Sequence, residues 1–295
     1  MTGLRFEVIA DETVHVHAVE PLVSSYQLSP FVWHTAGGFE VMLRAVPFSD
    51  DAAQKIARIY HGRSEDGLLF HMDGAPAIAP GPEPEDRDGC EDPTVAIASG
   101  ATHVYYTGWN QAERRGCLML ASGPDASHLV KRGVALASSR DLRNPKEAEI
   151  AQTGDKTWRL FFEYAKDGAS CIGLAVSERV DGPWRVGAPP FMRRPESWDS
   201  WHLSTGPAVS VDGTPVMFYN GATRDAKWRI GWIRFDADFS RVLQRCAEPL
   251  IVPPSPKGDD TDIAFAASAF YEGDLIRVYY SVADQYLRRA TVLRR

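Results

Sequence analysis

The sequence predicts an all-β protein, a five-bladed β-propeller with about four antiparallel strands per blade. Three observations carry this expectation. Helical periodicity is scarce, and short apolar runs punctuated by Gly, Asp, Asn and Pro dominate the chain. A hairpin-like pattern recurs five times, as "SPFVWHTAGGFEVMLRAV", "EDPTVAIASGATHVYYTGW", "KEAEIAQTGDKTWRLFFEYA", "TGPAVSVDGTPVMFYNGAT" and "DIAFAASAFYEGDLIRVYYSVAD". Each second strand closes on one polar residue, Arg44, Thr107, Glu163, Asn220 or Ser281, and these lie 63, 56, 57 and 61 residues apart. A unit of about 60 residues that opens with a hairpin and continues with further strand matches a four-stranded blade.

The further strands are "CLMLASG", "CIGLAVS" and "RIGWIRF" in the second, third and fourth units. The fifth unit runs out of chain after "LRRATVLRR". The N-terminal "RFEVIA" and "TVHVHAV" belong to no unit, so they are expected to supply the missing outer strand and close the ring. Residues 1–295 then form a single propeller. The low identity between repeats leaves two stacked β domains as the alternative.

In a hairpin, the start of the first strand and the end of the second share an edge. Two sets of polar residues should therefore meet at one rim. The first set is Ser29, Asp92, Glu147, Thr205 and Asp262, and the second runs from Arg44 to Ser281. Polar groups converging at one funnel make a ligand site. The adjacent acids Glu91 and Asp92 stand at its mouth, where burial and mutual repulsion are expected to hold a proton on Asp92 near neutral pH.

Composition excludes other classes. The 295 residues carry 32 basic and 39 acidic side chains, a net charge of −7, with no basic run, so neither a nucleic-acid nor an anionic-membrane partner is expected. The four cysteines are scattered and form no CxxC pair, which disfavours disulfides and a thiolate zinc site. The start has no signal-peptide pattern and no run is long enough to span a membrane. A cytoplasmic location is the expectation. "HVH" puts His15 and His17 on one strand face, but no third ligand accompanies them, so no metal site is predicted.

Five ordered motifs resemble glycoside hydrolase family 130, the mannoside phosphorylases and related mannosidases. They are "FEVMLRAV", "GCEDPTVA", "NPKEAEI", "TGPAVSVDGTPVMFYNGAT" and "VYYSVAD", and the resemblance runs from about Ser29 to Asp284. It implies a five-bladed propeller and an oligosaccharide substrate, with Asp92 as the general acid that protonates the departing glycosidic oxygen. It also implies that Asp284 contacts sugar. The phosphorylases of the family hold phosphate with two arginines and a histidine. The matching positions here are Lys146, Glu163 and Asn220, and an arginine after E-D-P is Thr94.

Lys146 keeps the charge but loses the bidentate fork. Glu163 reverses the charge, and a carboxylate about 4 Å from phosphate costs on the order of several kcal/mol at intermediate dielectric. The departures point to hydrolysis with inversion of a β-mannoside, with Glu163 as the base that activates water and Glu147 and Asp262 as rival bases. Phosphorolysis is the second reading, and a non-catalytic carbohydrate-binding propeller the third. Ser29, Arg44, Glu91, Lys146, Glu147, His202, Asn220, Asp262 and Asp284 are the expected substrate-binding residues. Trp109, Trp201 and Trp228 are candidate sugar platforms. None of the readings requires a cofactor.

Overall fold

A computed structural model describes residues 3–258 and 260–295. Among them the only helical elements are three single turns of 3-10 helix, and six β-sheets make up the rest of the regular structure. No helix among the described residues is long and apolar enough to cross a membrane.

Each predicted hairpin is present. The first unit comprises Ser25–Thr35, Gly38–Pro47, Arg58–Ser64 and Leu69–Ile78 in one antiparallel run. The second comprises Cys90–Ala98, Ala101–Asn110, Arg115–Gly123 and Val130–Leu136. The third comprises Arg143–Gln152, Trp158–Lys166, Ala169–Ser177 and the short Arg185–Val186. The tight turns follow from local chemistry. Ser99–Gly100, Asp167–Gly168 and Asp212–Gly213 are two-residue loops with both residues at positive φ, the conformation that matches the right-handed twist of a hairpin.

The fourth unit departs from the expectation of one continuous sheet. Its strands break midway, giving a sheet of His202–Ser204, Asn220–Ala222 and Trp228–Ile230 and another of Ala208–Val211, Thr214–Met217, Ile233–Phe235 and Val242–Arg245. The break falls at "TGP", where Pro207 has no N–H to donate. A Cβ on Gly206 would lie 1.8 Å from the Phe218 carbonyl oxygen, so only glycine fits there.

The fifth sheet is Ala264–Glu272, Leu275–Val282, Tyr286–Arg294 and Phe6–Thr13. The segment "RFEVIA" thus completes the last sheet as expected, but "HVH" does not join it. His15–His17 pairs in parallel with Leu69–His71 of the first unit, where His17 and His71 meet at 3.2 Å between Nδ1 atoms. Among the described residues no group of three His, Cys, Asp or Glu is placed to hold a metal ion.

First strands of successive units pack side by side, and the first strand of the fifth unit packs on that of the first. Hydrogen bonds join the units at each of these contacts, four times between first strands and, between the fourth and fifth units, through Asn220 of the second strand. Ser29 Oγ donates to Asp92 Oδ1 at 2.8 Å, and Thr94 Oγ1 to the Ala148 carbonyl at 2.5 Å. The Ala208 amide donates to Glu149 Oε1 at 2.8 Å, and the Ala266 amide to Asn220 Oδ1 at 2.7 Å. The Val32 amide donates to Ser268 Oγ at 2.8 Å. Between sheets, the residues before the rim supply the filling: Met42–Leu43, Tyr105–Tyr106, Phe161–Phe162, Phe218–Tyr219 and Tyr279–Tyr280 are all buried. Alternation sends the two members of each pair to opposite faces, so each sheet packs on both neighbours. Three of the tyrosines end on an aspartate, buried in the first two cases and exposed in the third. Tyr106 donates to Asp86 at 2.8 Å, Tyr219 to Asp199 at 2.6 Å and Tyr280 to Asp11 at 2.9 Å. Each aspartate is also paired with a cation, respectively Lys131, Arg194 and Arg288.

Candidate active site

One local irregularity builds the site. In the first unit Leu28 faces Arg44 and Phe31 faces Met42, so Ser29 and Pro30 oppose the single residue Leu43. The second unit repeats this with Glu91 facing Thr107 and Thr94 facing Tyr105, and the third with Lys146 facing Glu163 and Glu149 facing Phe161. Each is a β-bulge, which turns a side chain out of the regular alternation. The bulged residues Ser29, Asp92 and Glu147 have φ of 52°, 50° and 49°. Non-glycine residues rarely adopt this left-handed conformation, and it concentrates where function requires it.

The bulges aim their side chains into one cavity of about 340 Å³. Ser29, Arg44, Asp92, Lys146, Glu147, Glu163 and Asp284 line it together with Ser281. Tyr26, Trp228 and Phe265 form an aromatic wall, with Trp228 and Phe265 edge to face at 5.3 Å. A few directed polar groups against an aromatic wall is the make-up of a sugar site.

The charges are arranged as a network. Arg44 reaches Glu91 Oε2 at 3.1 Å and Asp92 Oδ1 at 2.9 Å. Lys146 lies 3.4 Å from Glu163 Oε1, and Ser170 Oγ donates to the same oxygen at 2.7 Å. Burial works against ionisation of Asp92, but the charges of Arg44 and Lys146 and the Ser29 hydroxyl outweigh it and hold its pKa below the usual carboxylate range. Glu147 goes the other way. Burial and the charge of Asp92 raise its pKa well above the ordinary glutamate value. The two carboxyls are close enough to share a proton. Burial also raises Glu91, against the pull of Arg44, and raises Asp284. The Lys146 pKa is raised, chiefly by Glu163.

This corrects the expectation that repulsion from Glu91 keeps Asp92 protonated. The Arg44 guanidinium lies between the two acids and favours the ionised form of Asp92, while burial and the Asp92 charge favour the protonated form of Glu147.

Three further expectations change. Asn220 does not face the cavity. It is fully buried, and its amide is taken up by the Thr205 carbonyl at 2.5 Å and by both backbone groups of Ala266. Asp262 is not a member of the rim set. The fifth strand begins at Ala264, so Phe265 faces Ser281, and Asp262 is paired with Arg229 at 2.9 Å. His202 stands behind the wall, its ring 5.6 Å from that of Trp228 and its Nδ1 accepting from the Ser170 amide at 3.1 Å. It therefore positions Ser170 and Trp228. Thr94 bonds the neighbouring unit, as above. Trp109 donates to Gln111 and Trp201 lies between the guanidinium groups of Arg193 and Arg224, and neither lines the cavity. Tyr26, Phe265 and Ser170 were not anticipated. Ser170 was within reach, since the two-residue turn at Asp167–Gly168 sets it diagonal to Glu163 on the same face.

No family model matches the chain. Among curated proteins, it is 23% identical to a β-1,2-mannobiose phosphorylase of a Thermoanaerobacter species, over 80% of this chain and 77% of that one. It is 25% identical to a β-1,2-mannobiose phosphorylase of Listeria innocua, over 75% of this chain and 62% of that one. Among solved structures, the Listeria innocua β-1,2-mannobiose phosphorylase in complex with β-1,2-mannobiose superposes with a TM-score of 0.78 at 20% identity, covering 95% of this chain and 90% of that one. Another neighbour, described under the statement that the family 130 of mannoside phosphorylases contains glycoside hydrolases that target β-1,2 mannosidic linkages in Candida mannan, gives 0.75 at 21% identity over 90% of this chain and 84% of that one. The structural likenesses speak for the fold. The curated relatives, together with the five ordered motifs, support membership of glycoside hydrolase family 130.

Proposed function

We propose that the protein cleaves β-mannosidic bonds with inversion, in the cavity beside Asp92, on a five-bladed propeller scaffold formed by residues 1–295. The observation that carries the reading is the convergence of Ser29, Arg44, Asp92, Glu147 and Asp284 on a cavity with an aromatic wall. The scaffold is supported by the hydrogen-bonded succession of units from the first through the fifth and back.

In the proposed reaction the sugar packs on Trp228 and Phe265, and Arg44 and Asp284 hold its hydroxyls. The bond from the anomeric carbon to the leaving oxygen breaks as the nucleophile attacks from the opposite face. The leaving oxygen takes the proton of the Asp92–Glu147 pair through Asp92, and Glu147 is the store from which Asp92 is recharged. A shared proton belongs to the pair rather than to either residue.

The nucleophile divides two readings. Both curated relatives are phosphorylases, and on that ground inorganic phosphate ranks ahead of water, the reverse of the order reached from the sequence. Arg44 and Lys146 would then face the phosphate. One observation favours water: Glu163 occupies the cavity as a carboxylate held by Lys146 and Ser170, a placement suited to a base and adverse to a dianion.

The test is incubation with β-1,2-mannobiose in phosphate and in phosphate-free buffer. Mannose 1-phosphate formed only with phosphate establishes phosphorolysis. Free mannose at equal rates in both buffers establishes hydrolysis, and Glu163→Gln then abolishes it. No cleavage in either buffer overturns the enzymatic reading.

A further inference from the structure

A second cleft lies at the other end of the hairpins. The turns of the second and third units, with the segment 178–181, enclose about 550 Å³, more than the cavity at Asp92. Asp92 and Ser99 stand at opposite ends of one strand, about 20 Å apart at the usual rise per residue. The cleft is lined by His103 and Trp158, by Ser99 and Gln152, and by the charged Lys156, Glu178, Arg179 and Asp181.

The lining suits a ligand. His103 is only 8% exposed, with its Nδ1 closed off from solvent beside the Ala98 backbone, and it forms a firm wall behind the cleft. Trp158 is half-buried and presents an indole to the same space. The charges of the cleft cancel, two cationic side chains against two anionic ones, with Arg179 and Asp181 already bonded to each other. Burial lowers the pKa of His103, so the imidazole is neutral at pH 7. An anion or cation gains no net attraction here, whereas a neutral polyhydroxylated ligand can meet an aromatic face and both donors and acceptors. Beyond Arg179 a depression of about 370 Å³ continues the groove past Gly182 and Arg185, room for more than one ring.

We propose that this cleft is a second, non-catalytic saccharide site, with Trp158 as the platform and Ser99, Gln152, Lys156 and Glu178 around it as donors and acceptors for sugar hydroxyls. It goes beyond the cleavage reading, and only the choice of the first probe rests on that reading. The experiment is calorimetric titration of Asp92→Asn protein with β-1,2-linked mannotetraose, alongside an array of neutral glycans. Two sites are expected. Adding Trp158→Ala should weaken one of them at least about tenfold, the loss usual for a central aromatic contact. It should leave wild-type turnover of β-1,2-mannobiose unchanged when introduced alone. Hydrogen exchange should show sugar-dependent protection at 97–103 and 152–158. A single site for every glycan overturns the proposal, as does a second site that Trp158→Ala leaves at full strength. Displacement of the sugar by inorganic phosphate overturns the neutral-ligand assignment. Failure of the cleavage reading shows separately, as absent turnover of mannobiose by the wild type.

Discussion

Asp92 and Glu147 occupy the same place in adjacent units. Both sit in the same bulge, at φ of 50° and 49°, and both line the same cavity. Their protons nonetheless go in opposite directions. Asp92 faces Arg44 and Ser29 and is held ionised, whereas Glu147 faces the Asp92 charge and shares Lys146 with Glu163. Repetition of the fold delivers the geometry, and the non-equivalent neighbours divide the chemistry.

The largest effect should come from Asp92→Asn. It leaves the bulge intact but removes the group that passes the proton on, so kcat on an unactivated mannoside should fall by about 10²–10⁴. An aryl mannoside with an acidic leaving group should lose much less. Equal losses on both substrates would remove Asp92 from the protonation step.

Arg44→Met attacks the asymmetry directly. Without the guanidinium, burial dominates at Asp92 and the pair keeps its proton to higher pH, so the alkaline limb of the kcat/KM profile should move upward by about 1–3 units. An unmoved limb would mean that Arg44 does not set the distribution of protons.

Glu147→Gln sharpens the comparison from the other side. A glutamate with a raised pKa contributes stability below its unfolded pKa and loses it as pH rises through the folded one. The variant should therefore melt higher than wild type at alkaline pH. It should also move the alkaline limb of the activity profile to lower pH and keep roughly a tenth of the activity, because Asp92, with its lowered pKa, is then recharged from solvent. A variant with wild-type activity and an unchanged alkaline limb would rule out Glu147 as the proton store.

The smallest effect concerns Glu149, two residues further along the same strand and outside the cavity lining. Burial pushes its pKa up to about 8, and its Oε1 accepts only the Ala208 amide. Wild-type stability should fall between about pH 4.5 and 8 on this account, and Glu149→Gln should flatten that slope by at most a few kcal/mol. Chemical denaturation at pH 5 and pH 9 measures it.

The rim was legible in the sequence because second strands end where the polar residue interrupts an apolar run, and a hairpin transmits that edge to its first strand. The register pairs Leu28–Arg44, Glu91–Thr107, Lys146–Glu163, Ser204–Asn220 and Phe265–Ser281 are the same position five times. Asp262 was misplaced because the acid before an apolar run imitates a strand start, and pairing alone shows that the strand opens later. Asn220 was misread because its partner is the backbone of another unit, 46 residues away. The proton distribution was out of reach for the same reason. Arg44 comes from the first unit, 48 residues before Asp92, and no local pattern says that its head falls between two acids of the second. The broken fourth sheet was partly signalled by "TGP", but where the strands resume depends on packing.

The pairing of Phe6–Thr13 with Tyr286–Arg294 has a consequence for synthesis. The Asp11–Arg288 bridge joins residues 277 apart, so the earlier of the two strands has no partner until the later one is synthesised. At about 5–20 residues per second this wait is on the order of tens of seconds. Throughout it the apolar face that later covers Phe218 and Trp232 through Phe6 stays without its sheet, an exposed edge open to wrong pairing. The clasp of Asp11 with Tyr280 and Arg288 forms only then, making the maturation of this sheet hinge on the return of its earlier strand.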